Sequence, residues 1–255
     1  MIDPETLTQL VLKYAVRQRD GEVLRRYVRF RADRWYGGIA TADVVGCNLR
    51  CGVCWAWLKS SFRVDVGTFL TPAQVAERLI SLAKERGYAQ LRISGGEPTI
   101  APEHLLAVLR LVPDRYLFVV ETNGILIDGG LARRLAELHN VAVRVSLKGA
   151  TPQEFELITM SPPKYFYKQL EALKNLVDAG MKPCVEVYPA AMIGFSTDES
   201  LKSLEKALAE IHPKLAECID AEYVILYPHV VRLMGARGLR PIRAVDPRGV
   251  PASMI

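Results

Sequence analysis

Residues 46–55 read GCNLRCGVCW and place three of the chain's five cysteines, Cys47, Cys51 and Cys54, within eight positions. Structural zinc takes four ligands, commonly as two close Cys or His pairs, and a disulfide framework takes an even set. No histidine precedes His104, and Cys184 and Cys218 stand far off and isolated, so neither arrangement is served locally. A four-iron cluster normally takes four cysteines, and with three it keeps one iron open for another ligand. The odd count therefore fits a reactive metal site, while zinc remains the bland alternative.

Working outward, an apolar, β-branched run at 39–45 leads straight into Gly46, so the cysteine loop follows a strand. Further strands are expected at 90–94, 116–121, 142–147, 183–188 and 221–226. Helices are expected at 72–86, 101–111, 130–138, 165–179 and 198–210. Thr71-Pro72 gives the first of these an N-cap and a proline at its first position, and Gly87 closes it. Strands joined by helices at this spacing pair in parallel with right-handed crossovers. The expected fold is α/β, a partial (β/α)6 TIM barrel of parallel strands, and its ligands belong at the C-terminal strand ends, where the cysteines fall. Residues 1–35 read as an N-terminal helical extension with a second helical segment near 21–30, residues 36–229 as the barrel, and residues 230–255 as an irregular Arg-rich tail.

Three further strand ends carry polar motifs. Gly95-Gly96-Glu97-Pro98 follows the second strand, where glycines permit close backbone approach and proline fixes the exit. Thr122-Asn123-Gly124 follows the third, and Asn-Gly is also a common turn signal. Ser146-Leu147-Lys148 follows the fourth.

Cys-x-x-x-Cys-x-x-Cys at Cys47, Cys51 and Cys54, with these motifs in this order, resembles the radical S-adenosylmethionine (radical SAM) enzymes, in particular their short activating-enzyme-like members. The resemblance implies a [4Fe–4S] cluster on the three cysteines. It further implies S-adenosylmethionine on the open iron, cleaved by one electron to a 5′-deoxyadenosyl radical that abstracts hydrogen from a substrate. It assigns Gly95, Gly96 and Glu97 to the methionine ammonium, Lys148 to its carboxylate, Thr122 and Asn123 to a ribose or carboxylate contact, Ser146 to the ribose and Val53 to adenine. Val53 stands where the family commonly has an aromatic residue, and Ser146 replaces an acidic one, which weakens a reading as a glycyl-radical activase. His229, after the last strand, reads either as a cofactor or substrate contact or as a surface histidine. A ferredoxin- or flavodoxin-like reductant and a macromolecular substrate, protein or tRNA, follow from the same resemblance.

Composition frames this reading without deciding it. The chain has 255 residues, 50% hydrophobic and 24% charged, with a formal charge of +5, which excludes a disordered protein and mildly favours anionic partners. The first residues show no signal-peptide pattern and no apolar run reaches membrane-spanning length, so a soluble, cytoplasmic protein, monomeric or weakly oligomeric, is expected. In that compartment Cys184 and Cys218 read as core thiols. Arginines 17 to 34, interleaved with Tyr27, Phe30, Trp35 and Tyr36, allow a competing reading as a non-catalytic, metal-holding nucleic-acid-binding module.

Overall fold

Local signals set most element ends in the computed structural model, which describes residues 1–250. The chain opens with α1 (Pro4–Ala15), capped by Asp3, and continues through β1 (Val16–Arg19), β2 (Glu22–Asp33), β3 (Ile39–Val44) and β4 (Thr68–Leu70). Then come α2 (Pro72–Arg86), β5 (Gln90–Ser94), α3 (Pro102–Arg110), β6 (Leu117–Thr122), α4 (Gly129–Ala136) and β7 (Val141–Leu147). After β7 follow α5 (Pro152–Thr159), α6 (Lys164–Asp178), β8 (Val187–Met192), α7 (Asp198–Ile211), α8 (Pro213–Glu217) and β9 (Asp220–Glu222). The last described elements are β10 (Val224–Ile225), α9 (Pro228–Ala236) and β11 (Ala244–Val245). At α2 the expected ends hold because Thr71 and Gln74 form a reciprocal capping box and Gly87 takes a left-handed φ of 69°.

Strands β3, β5, β6, β7, β8 and β9 pair in parallel in that order, giving the six-stranded partial barrel. Its outer face is apolar: Ala42, Val44, Leu91, Ile93, Phe118, Val120, Val143 and Val145 are buried in the main core. Burying the Val, Leu, Ile and Phe side chains among them contributes about 1.5–3 kcal/mol each before entropy is counted. Ends of the sheet do not meet, so the barrel stays open. Among the described residues no helix is long and apolar enough to cross a membrane.

Several expectations need correction. The second helical segment near 21–30 is instead β2, the long arm of a hairpin whose turn, Asp20-Gly21, has positive φ at both residues (51° and 81°). That Asp-Gly turn matches the right-handed twist of paired strands, and antiparallel pairing of β2 with β1, β3 and β4 outweighs any helical reading of its arginines. The fifth barrel strand starts at Val187, because residues 182–187 form a turn with Cys184 at φ 67°. The sixth is split, with β9 in the barrel and β10 paired with β11.

The tail is also more regular than expected, since it carries α9 and β11; residues 251–255 of that segment lie outside the described residues. Cys184 and Cys218 are not core thiols. They form a disulfide across Cα atoms 5.7 Å apart, because the turn swings Cys184 outward toward the end of α8.

Candidate active site

Four strand ends converge on the cysteine loop. After β3 the chain passes Gly46, whose N–H donates to Ser60 O at 2.9 Å and whose carbonyl accepts from Glu97 N at 2.9 Å. Close approach explains the glycine pair after β5: a Cβ on Gly96 would lie 2.7 Å from Val44 O and nearer still to Gly46 O. Any side chain there would part the two loops. Helix α1 presses on the loop from behind, since a Cβ on Gly46 would lie 2.7 Å from Val11 Cγ1. Gly52 N donates to Ile158 O at 2.7 Å, tying the far side of the loop to α5.

Glu97 joins the second motif to the third. It is 2% exposed, and its carboxylate accepts from Thr99 N (3.0 Å), Thr99 Oγ1 (2.7 Å), Thr122 Oγ1 (2.7 Å) and Asn123 N (2.8 Å). Asn123 Nδ2 then donates to Asn48 Oδ1 at 2.7 Å, inside the cysteine loop, while Asn48 Nδ2 is buried without a partner among the described residues. Gln169 of α6, fully buried, donates to Asn123 O (2.6 Å) and Ser146 O (3.0 Å) and accepts from Lys148 N (3.1 Å). One helix side chain thus sets the third and fourth strand ends together.

The inner face of the sheet is ionised. Arg92 donates to Thr41 Oγ1 (3.1 Å), Glu121 Oε1 (2.9 Å) and Asp33 Oδ2 (2.5 Å). Arg144 reaches Asp220 (2.8 Å) and Glu222 (2.5 Å) across Ala190, which stands in register between β7 and β9. Ser146 Oγ donates to Glu222 (2.9 Å), and Lys148 Nζ contacts Ser146 Oγ and lies 3.5 Å from Glu222. Burial alone would raise Glu121, but Arg92 and Arg144 outweigh it and hold the carboxyl down at about 2. Burial likewise works against the Lys148 ammonium, and Glu222 more than restores it. Tyr36, at φ 57°, enters from the N-terminal end and donates to Glu121 Oε1 at 3.3 Å. Its ring lies 5.9 Å from the Arg92 guanidinium carbon.

The donor set suits a cluster better than zinc. Burial pushes the Cys51 thiol up to about 12 and raises Cys47 and Cys54 too, so thiolates here need a cationic partner such as iron. Among the described residues no three Cys, His, Asp or Glu side chains converge as a single-ion site requires. Ligands of a four-iron cluster each bind a different iron, so they stand apart. Asn48 Nδ2, within this loop, is a further buried polar group with no hydrogen-bond partner among the described residues.

Not every expected residue joins the network. Val53 is half-buried against the core. His229 braces the cysteine loop instead: its Nε2 lies 2.7 Å from Trp55 O, and its carbonyl accepts from Trp57 Nε1 at 3.2 Å. Much of the arginine stripe is not a solvated face, because Arg25 is buried, Arg29 and Arg31 pair with buried Asp43, and Arg26 bonds carbonyls of residues 65–67, while Arg17, Arg19 and Arg34 stay exposed. Asn48, Gln169, Arg92, Arg144 and Glu222 were not anticipated. The signal for Arg92, Arg144 and Glu222 lies in the alternation of charged with apolar residues inside their strands, whereas Asn48, in a loop, and Gln169, on a helix, carry no such pattern.

Residues 42–208 match the family model of the Radical SAM superfamily. Molybdenum cofactor biosynthesis protein 1 of Bos taurus is 32% identical over 166 residues, which is 61% of this chain and 24% of that protein. GTP 3′,8-cyclase of Petrotoga mobilis is 27% identical over 156 residues, 60% of this chain and 46% of the cyclase. The chain thus spans between about a quarter and half the length of these relatives. Among solved structures, Streptococcus suis SuiB bound to S-adenosylmethionine is similar with a TM-score of 0.52 at 21% identity, over 66% of this chain and 38% of that one. At that identity the likeness is one of fold.

Proposed function

Because the chain belongs to the radical SAM superfamily, we propose that Cys47, Cys51 and Cys54 hold a [4Fe–4S] cluster and that the four strand ends seat S-adenosylmethionine beside it. Bound there, cluster and cofactor supply a 5′-deoxyadenosyl radical for hydrogen abstraction. The chain's own residues bind and orient. Gly95 and Gly96 offer backbone at close range to the methionine ammonium. Glu97 acts mainly by fixing Thr122 and Asn123, since its carboxylate already accepts their donors. Lys148, held cationic by Glu222, is placed for the cofactor carboxylate, and Ser146 for a ribose hydroxyl.

For the substrate, we infer a small, polar, ionised molecule in place of the macromolecule expected from sequence. The ionised inner face carries this reading. Arg92 and Arg144 are each bridged to two carboxylates, so a substrate anion would exchange with a carboxylate already present. Tyr36 reaches in from the N-terminal end to Glu121, and β2 extends the sheet beyond the edge where a large partner would have entered. Nucleotides have the required charge, and the cyclases related to this chain act on GTP by name. Commitment of Arg25, Arg26, Arg29 and Arg31 to internal partners reduces the support for a nucleic-acid-binding module.

Anaerobic reconstitution tests both levels. Cofactor cleavage predicts about four irons per chain and release of 5′-deoxyadenosine under a low-potential reductant. Nucleoside triphosphates should raise that release several-fold over the uncoupled rate, whereas bulk tRNA should not. Stimulation by tRNA alone would overturn the small-substrate reading and leave the cluster reading intact.

A further inference from the structure

Arg25, the fourth residue of β2, is 1% exposed and is among the largest fully buried side chains. Its Nη1 donates to Ala15 O, the last residue of α1, at 3.0 Å, while Nε and Nη2 have no partner among the described residues. No carboxylate reaches it within ion-pair distance among the described residues, unlike Arg29 and Arg31 on the same strand. Burial pulls its pKa down only to about 10, against the pull of Tyr27, Glu97 and Cys47, so the guanidinium stays charged at neutral pH. Glu97 is its mirror image, a buried carboxylate with no cation at ion-pair distance among the described residues.

The strand places this charge behind the cysteine loop. Arg26 O accepts from Val45 N at 3.0 Å, which sets residue 25 alongside the start of Gly46-Cys47. Ala15 and Val11 of α1 pack with Val45 and Ile100 in one small core at the same spot. An uncompensated buried ion costs several kcal/mol. The carbonyl end of α1 offsets part of that cost. Three thiolates on an oxidised [4Fe–4S] core leave one net negative charge, and one added electron makes it two. A cluster's potential depends on nearby charge and exposure.

We propose that Arg25 is a fixed internal cation that raises the reduction potential of the cluster held by Cys47, Cys51 and Cys54, acting across the Gly46-Cys47 strand end without touching cluster or cofactor. This rests on the cluster reading given under Proposed function. Arg25 is a positioning residue in this sense: it sets the charge environment in which the electron arrives.

The test is an anaerobic redox titration of the reconstituted full chain, followed by the paramagnetic signal of the reduced cluster, with iron content measured first. In Arg25→Gln the reduced-to-oxidised ratio at a fixed solution potential should fall on the order of tenfold, about 59 mV for one electron. Arg25→Lys, which keeps the charge, should stay within about threefold of wild type. An unchanged potential in Arg25→Gln overturns the proposal, as does an equal shift in both variants, which would make the role one of packing or hydrogen bonding to Ala15. Should Arg25→Gln fail to fold, Arg25→Lys decides: a potential near wild type supports a charge role and a tenfold shift refutes it. A wild-type chain that takes up no iron refutes the cluster reading itself, and is distinguished from the other outcomes before any variant is titrated.

Discussion

The five cysteines divide between the two ends of the barrel. Cys47, Cys51 and Cys54 sit at the C-terminal rim after β3 as free thiols, two of them half-buried and Cys51 buried. Cys184 and Cys218 lie where the chain enters β8 and β9, joined to each other. Residue type is the same, and position along the strand decides the chemistry. At the rim, successive loops bring polar groups together. At the opposite end, the pair fastens two chain segments that have no shared site to build.

Breaking the rim trio should have the largest effect. Cys51→Ala is expected to reduce deoxyadenosine release to background and to lower bound iron, as measured by product chromatography and iron assay. Full cleavage activity in that variant would remove the cluster assignment. Glu97→Gln comes next. It replaces one carboxylate oxygen by an amide donor facing Thr122 and Asn123, so S-adenosylmethionine affinity should fall about 10–100-fold with iron content retained. Equilibrium binding to the reconstituted protein checks this, and wild-type affinity would show that Glu97 does not order the rim.

At the other end, replacing both Cys184 and Cys218 by serine should leave iron and cleavage unchanged while lowering the free energy of unfolding by roughly 2–4 kcal/mol, since the bridge closes a long loop. Denaturant titration measures it. Loss of the cluster in that variant would mean that the two ends are not independent. Smallest is an effect that touches neither group. His104, buried against Val23 O and Tyr27 OH, is held neutral, its pKa lowered by burial to about 4 from 6.5. The unfolded chain therefore binds more protons between those values, and the stability His104 contributes is complete above pH 6.5 and lost as pH falls toward 4. Between pH 7 and 5 the loss should be about 2 kcal/mol, and a His104→Asn variant should lack that slope.

Sequence made the rim legible and the barrel interior opaque, for a physical reason. Helix α2 and strand β5 were read at their true ends because caps and strand runs are local, and the cysteine spacing lies within one loop. The partners of Arg92 and Arg144 are not local: Asp33 and Asp220 come from strands far along the chain, and no spacing rule links them. The start of β8 differs from the apolar run because residues 182–187 turn, with Cys184 at positive φ and bonded to Cys218 just past α8, a contact 34 residues away in sequence. Glu97 was recognised, but its inward turn toward Thr122 and Asn123 appears only once β5 and β6 are side by side.

Gln169 carries a consequence for anyone who would rebuild this barrel. It belongs to an outer helix, yet its amide is committed on three sides to the ends of β6 and β7. A designer who treated α6 as exchangeable scaffold and kept only the rim loops would lose the gauge by which those loops are spaced. The portable unit is the four strand ends together with one turn of α6.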